Sequence, residues 1–281
     1  MPPSFRGRSA SVCRYLAVLV LAVGGCASGP RAYTTLDAAL WMQTSEEYAA
    51  VTRQAYRQAA ERLEAALRDT AWSAALEQGP RAGGLPPAVV LDVDETVLDN
   101  SAYAARLLRA GEEFTPETWD AWVEEARAPA VPGALEFLRR ARARGVHVVF
   151  LTNREAHLEA ATRRNLAAVG FEPAPEDDAV LMKGEQESWG SDKSSRRAHV
   201  AGTHRILFLF GDDFNDFVPA RWGLDARREL GREHADHWGV DWFALPNPTY
   251  GSWEAAITRF PPAADGRSAL ERKLETLDPG T

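Results

Sequence analysis

The stretch "VVLDVDETVLDNS", residues 89 to 101, begins as a run of apolar strand formers and turns abruptly acidic at Asp92 and Asp94. Two residues apart in extended chain, their side chains point the same way. Carboxylates that close repel, so a fold keeps them only where a cation sits beside them or one holds a proton. Two further polar clusters end apolar runs: Thr152, Asn153 and Arg154 after "VHVVFL", and Asp212, Asp213, Asn215 and Asp216 after "LFLFG". In open parallel sheets ligands sit outside the carboxyl ends of the strands, which is where these clusters would converge. Four or more carboxylates gathered there need a cation, and hard oxygen donors select Mg2+ over zinc.

The elements that would position them alternate. "AVVLDV" reads as a first strand, followed by a helical stretch from 101 to about 127 with Thr115 as an internal cap and Pro116 in its first turn. "PGALEFLRRARARG" is an amphipathic helix closed by Gly145, and "VHVVFLTN" is a second strand. "EAHLEAATRRNLAAVG" predicts a helix ending at Gly170, and "AVLM" (179 to 182) a short strand. "KSSRRAHVAG" predicts another helix, "HRILFLFGDD" a strand and "VDWFAL" a last one. Such alternation implies an α/β fold: a Rossmann-like parallel sheet flanked by helices, with a smaller helical cap. The reading places a helical segment at 35–80, a core at 86–260 with the helical insertion at about 101–130, and a polar tail at 261–281. In the helical segment Thr44 with Glu47 fits a capping box, and Tyr48, Val51, Ala55, Ala59, Leu63 and Leu67 line one face. "EQGPRAGGLPP" reads as a linker, because its Gly83-Gly84 precedes a strand and not the helix a phosphate cradle requires.

The first 25 residues stand outside the expected fold. Arg6, Arg8 and Arg14 precede "YLAVLVLAV", an apolar run too short to span a bilayer, which is the pattern of an export signal. "VGGC" then matches a lipobox in which Cys26 is lipidated, with residues 26–34 as a tether; cleavage near "ASG" is the alternative. Either route leaves no cysteine pair for a disulfide, since Cys13 lies inside the signal. Formal net charge is −8, and removing three arginines makes it more negative still. Nucleic acid is excluded as a partner on this balance.

Beyond these readings, "DVDET", "LTN", a following lysine and "GDDFND" together resemble the motifs of haloacid-dehalogenase-like phosphohydrolases. "LWMQTSEEYAAVTRQAY", "DETVLDNSAY", "PNPTYGSWE" and the lipobox narrow the resemblance to the class C acid phosphatases, outer-membrane lipoproteins that act as 5′-nucleotidases. The likeness runs from about Leu40 to Trp253. It implies an exported phosphomonoesterase using Mg2+, acting on nucleoside 5′-monophosphates or nicotinamide mononucleotide. By that resemblance Asp92 is the nucleophile and Asp94 the general acid, whose main-chain carbonyl also binds the metal. Asp212 joins Asp92 in holding Mg2+, with Asp216 supporting through water or a hydrogen bond. Thr152 and the backbone of Asn153 grip the phosphoryl group. Asp213 stands where the family usually has asparagine.

The motif lysine is assigned to Lys193, at the start of a helix, in preference to Lys183. Trp119, with Trp122 at helical spacing, is either packing or a base-stacking surface; Tyr250 is either a turn residue or its partner. His234 and His237 have an H-x-x-H look but no further ligand, and read as a surface helix. A haloacid dehalogenase has no alkoxide to protonate, so Asp94 argues against one. A non-catalytic surface lipoprotein on the same fold tends to lose the nucleophile, and Asp92 is present. No R-H-G signature of histidine acid phosphatases occurs.

Overall fold

A computed structural model describes residues 35–173, 179–219, 223–259 and 266–280. The signal, the lipobox, Cys26 and the whole tether at 26–34 lie outside the described residues. Within them no helix is long and apolar enough to cross a membrane.

Five parallel strands form the sheet: β1 (Pro87–Leu91), β2 (His147–Glu155), β3 (Val180–Lys183), β4 (Arg205–Gly211) and β5 (Trp242–Ala244). Their order is β3-β2-β1-β4-β5, so the chain builds outward on one side of β1 and then returns to build the other. That reversal opens a crevice at the carboxyl ends of β1 and β4. The expected α/β sheet flanked by helices is thus the observed one.

Alternation along β1 explains its place. Val89 and Leu91 face one apolar cluster and Val90 the other, and all three are buried. On the first face lie α2 (Glu46–Arg68) and α5 (Ala134–Ala143), where Tyr56 stacks on Phe210 at 5.2 Å and Phe210 on Phe243 at 5.0 Å. On the second, α7 (Ser194–Thr203) brings Val200 and Ala201 against Val90, Leu209 and Trp242. A register shift between Ala88 and Val89 puts both Leu207 and Phe208 on the first face.

The predicted insertion is two helices, α3 (Ser101–Ala110) and α4 (Pro116–Glu124), separated by Gly111 at φ +69°. Thr115 caps α4 through the Thr118 amide, with Pro116 in the first turn. α1 (Leu36–Thr44) packs on α3 and α6 (Glu159–Ala168) on α4.

Three expectations need correction. The cap of α2 is Ser45, which accepts from the Tyr48 amide, whereas the Thr44 hydroxyl donates to Leu40 O at the end of α1. The apolar face of α2 is turned accordingly: Thr52, Tyr56 and Ala66 are buried and Val51 is exposed. The tail is not merely polar, because α8 (Leu224–Glu233) and α9 (Ser252–Thr258) are followed by α10 (Ala269–Thr276), which packs on α9 behind a Ser268–Glu271 capping box. His234 and His237 do not share a surface helix: His237 lies in a 3-10 turn, stacks on Trp242 at 4.3 Å and bonds Asp241 at 2.8 Å.

Candidate active site

Asp92 follows β1 directly, and its amide donates to Phe210 O of β4 at 2.9 Å. The turn after it is wound tightly, with Val97 N and Leu98 N both donating to Val93 O and Glu95 N to Leu98 O. Glu95 pivots this turn at φ +56°, in the left-handed region that non-glycine residues rarely occupy. The Tyr56 hydroxyl of α2 holds the turn from below by donating to Thr96 O at 2.6 Å.

Lys193 opens α7 from beneath the crevice. Its buried ammonium bridges Asp92 Oδ1 and Asp216 Oδ1, the second at 2.6 Å. Lys183 sits at the end of β3 instead and pairs with Glu155 at 2.8 Å. Asp216 is drawn close because Gly211 has no Cβ: one placed there would fall 2.2 Å from Asp216 Oδ2. That same Oδ2 accepts the Asp213 amide at 3.0 Å. Asp212 accepts from Asn247 Nδ2 at 2.8 Å and from Thr96 Oγ1 at 3.4 Å. Asp213 turns away from this group, its carboxylate accepting from Asn215 N at 2.9 Å and from Ser252 of α9. It acts as a cap.

Burial dominates the electrostatics. It pushes Asp92 up to about 7, with Lys193 opposing and Asp216 and Asp94 adding to the rise. Asp212 is raised well above the usual carboxylate range by burial and then by Asp92 and Asp216. Asp216 is raised as well, chiefly by burial, against the pull of Lys193. Glu95 reaches about 8 through burial and the nearby Asp94, despite bonds from Tyr250 and the Asn100 amide. In all four groups burial is the largest cause, and a neighbouring carboxylate adds to it.

Among the described residues, Asp92, Asp212 and Asp216 can each offer an oxygen within 4.8 Å of the others. The donors are all carboxylate, which fits a hard divalent cation such as Mg2+. A buried Tyr48 hydroxyl with no hydrogen-bond partner in the protein lies in the field of Asp99, Glu95 and Asp212. The Asp94 carboxylate is not in this group. It turns to Arg154, whose Nη2 donates at 2.7 Å, and to Asn100 Nδ2 at 2.9 Å.

Thr152 and Asn153 lie at the end of β2. Thr152 Oγ1 accepts the Arg154 amide at 3.1 Å and lies 3.5 Å from Asp94 Oδ2. The Asn153 side chain is engaged by Arg196 Nη2 at 2.6 Å and by Ser191 O at 3.1 Å. Trp119 packs edge-on to Tyr103 at 5.2 Å, and the Arg154 guanidinium lies over its ring at 5.6 Å. Tyr250 donates its hydroxyl to Glu95, while its ring is 44% exposed. Sequence reasoning gave no role to four residues here: Arg154, named only within the polar cluster after β2, and Asn100, Glu95 and Phe114, the last 61% exposed beside Trp119. Glu95 carried a signal, being a charge inside a buried apolar run; Asn100 and Phe114 carried none.

The chain that carries this crevice of acids around a buried lysine is similar to known proteins. A family model for the "HAD superfamily, subfamily IIIB (Acid phosphatase)" covers residues 27–253. The class C acid phosphatase from Bacillus anthracis, solved with tungstate bound, is 31% identical at a TM-score of 0.75, covering 88% of this chain and 98% of that one. The same enzyme solved in a second structure gives a TM-score of 0.72. The chain therefore belongs to subfamily IIIB of the HAD superfamily, the acid phosphatases.

Curated relatives match more locally. The "Stem 31 kDa glycoprotein" of Glycine max is 29% identical over 166 residues, and "Acid phosphatase 1" of Solanum lycopersicum 28% over 165. The match covers 57% of this chain in both cases, and 58% and 57% of those relatives' lengths.

Proposed function

We propose that this chain is a Mg2+-dependent phosphomonoesterase working through an aspartyl-phosphate. The observation that carries the reading is Asp92, held by Lys193 on one side and grouped with Asp212 and Asp216 on the other. Lys193 keeps Asp92 ionised beside an anionic substrate and fixes one of its oxygens. Asp92 attacks phosphorus, and Asp94 gives its proton to the departing ester oxygen. Asp94 then takes a proton from the water that opens the acyl-phosphate. Thr152 Oγ1 and the Asn153 amide hold phosphoryl oxygens at the end of β2. Asp92 and Asp212 would hold Mg2+, with Asp216 steadying Lys193 beside them, and the ion would supply positive charge to the phosphoryl oxygens. That the related Bacillus anthracis enzyme binds tungstate, an oxyanion resembling phosphate, supports this use of the crevice.

The substrate class we infer is a nucleoside 5′-monophosphate or nicotinamide mononucleotide. Its support is aromatic: the Tyr250 ring is exposed yet tied by its hydroxyl to Glu95, next to Asp94. Trp119 is committed to Tyr103 and Arg154, so Phe114 beside it is the ring with a face to offer a base.

The N-terminal sequence supports export and lipidation at Cys26 into the outer membrane. Full-length protein from a Gram-negative host should enter the detergent phase, and Cys26→Ser should not. The activity itself is tested by phosphate release from p-nitrophenyl phosphate, nucleotides and sugar phosphates. A chelator should abolish release and Mg2+ restore it. Tyr250→Ala and Phe114→Ala should each cost about 1–3 kcal/mol on a nucleotide, mostly in KM, and much less on glycerol phosphate. Trp119→Ala, which uncovers Arg154, should depress both substrates alike.

A further inference from the structure

Arg154 is 2% exposed at the end of β2 and spends its guanidinium on one carboxylate. Nη2 donates to Asp94 Oδ1 at 2.7 Å, and Nε lies 3.1 Å from Oδ1 and 3.2 Å from Oδ2. Its third nitrogen, Nη1, donates to Thr162 Oγ1 of α6 at 3.1 Å, which anchors the group to the core. Oδ1 also accepts from Asn100 Nδ2 at 2.9 Å. The orientation of that amide is dictated by Trp122, whose indole can only donate and does so to Asn100 Oδ1 at 2.8 Å.

Two N–H groups, from Nη2 and Asn100 Nδ2, therefore point at Asp94 Oδ1 alone, and the Nε–H is shared between the two oxygens. Guanidinium and amide nitrogens are donors only, so a proton on Oδ1 would face other hydrogens. Oδ2 has no donor of its own nearer than the Thr152 hydroxyl at 3.5 Å, besides its share of the Nε–H at 3.2 Å. We infer that Arg154, assisted by Asn100, is the positioning residue that confines the Asp94 proton to Oδ2 and aims it at the leaving group. The inference rests on Asp94 acting as general acid in the reaction proposed above. In that step an Asp92 oxygen bonds to phosphorus and the phosphorus–ester bond breaks. Its electron pair stays on the leaving oxygen, which takes the proton from Asp94 Oδ2.

Leaving-group dependence separates this role from a structural one. 2,4-Dinitrophenolate departs without protonation, whereas the alkoxide of glycerol phosphate needs it. The assay compares kcat on these two esters for wild type, Asp94→Asn, Arg154→Gln, Arg154→Lys and Thr162→Val, with each variant's fold checked by circular dichroism. Arg154→Gln should lose about tenfold or more on glycerol phosphate beyond any loss on the dinitrophenyl ester. Arg154→Lys, which keeps the buried charge but not the fork, should show the same bias more weakly. Thr162→Val frees the guanidinium without touching Asp94, so it carries the test if the Arg154 variants do not fold, and its bias should be about twofold to fivefold. Equal losses on both esters in the folded Arg154 and Thr162 variants overturn the inference while the acid role stands, provided that Asp94→Asn shows the bias. No bias in Asp94→Asn overturns the acid role and this inference together.

Discussion

The two ends of the sheet bury charge in opposite ways. At the amino end, Arg205 of β4 is 4% exposed and donates to the carbonyls of Ala66, Asp69 and Trp72 from Nη1 and of Leu67 from Nη2. These carbonyls are at and just past the C-terminus of α2, where a cation also meets the negative end of the helix dipole. Both terminal nitrogens are served by the chain itself, and Nε alone is buried without a partner. At the carboxyl end, Asp92, Asp94, Glu95, Asp212 and Asp216 face Lys193 and Arg154. Five acids against two cations leave a surplus, and burial makes it costly. A buried charge matched by the chain is architecture, whereas one left unmatched marks where an ion and a substrate belong.

The comparison can be broken by substitutions at each end. The largest effect belongs to Asp92→Asn, which should remove turnover on the order of 10⁴-fold or more, because no other carboxylate reaches the phosphorus. Its melting temperature should hold or rise, since it removes one charge of the surplus; a tenth of wild-type kcat would end the covalent reading. Lys193→Met should cost about 10²–10³-fold in kcat, the range for a charged group that stabilises the transition state. Lys183→Met, whose partner is the exposed Glu155, should change kcat less than about twofold. A larger loss in the Lys183 variant would move the site to the β3 edge.

Arg205→Met inverts the pattern. It strands several carbonyls and should destabilise by about 2–3 kcal/mol in urea, with kcat unchanged in the folded protein. Loss of kcat without loss of stability would erase the distinction between the two ends.

The smallest effect concerns pH. Folding raises Asp92 from 3.8 to about 7 and Glu95 from 4.5 to about 8, both chiefly by burial. The folded chain thus binds more protons than the unfolded one between those limits, so stability falls as pH rises through them. In chelator the melting temperature should drop from about pH 5 to about pH 8, and Mg2+ should recover more of it at the higher pH. A flat profile without metal would mean that the surplus is already matched.

Much of this was legible in the chain. Apolar runs of period two and helices of period 3.6 specify a sheet with covered faces, because either pattern exposes its apolar side in any other state. The acids at the ends of β1 and β4 follow from the same reasoning, since polar residues directly after a buried strand must emerge at its carboxyl end. Lys193 was preferred to Lys183 from its place at a helix start, and the structure puts it on Asp92.

Tertiary structure alone decided the rest. Arg154 stands in the sequence within the polar cluster after β2 with no partner assigned, and only the folding of β2 beside β1 brings its fork to Asp94, sixty positions away. Trp119 and Phe114 are both aromatic and five residues apart, but packing against Tyr103 leaves the first half-buried and the second exposed. Asp213 and Asp212 are neighbours of one type, yet one caps Ser252 while the other joins the acids of the crevice. Local pattern fixes which face of an element is buried, because that depends on spacing along one segment. Which buried charge finds a partner depends on segments that meet only in space.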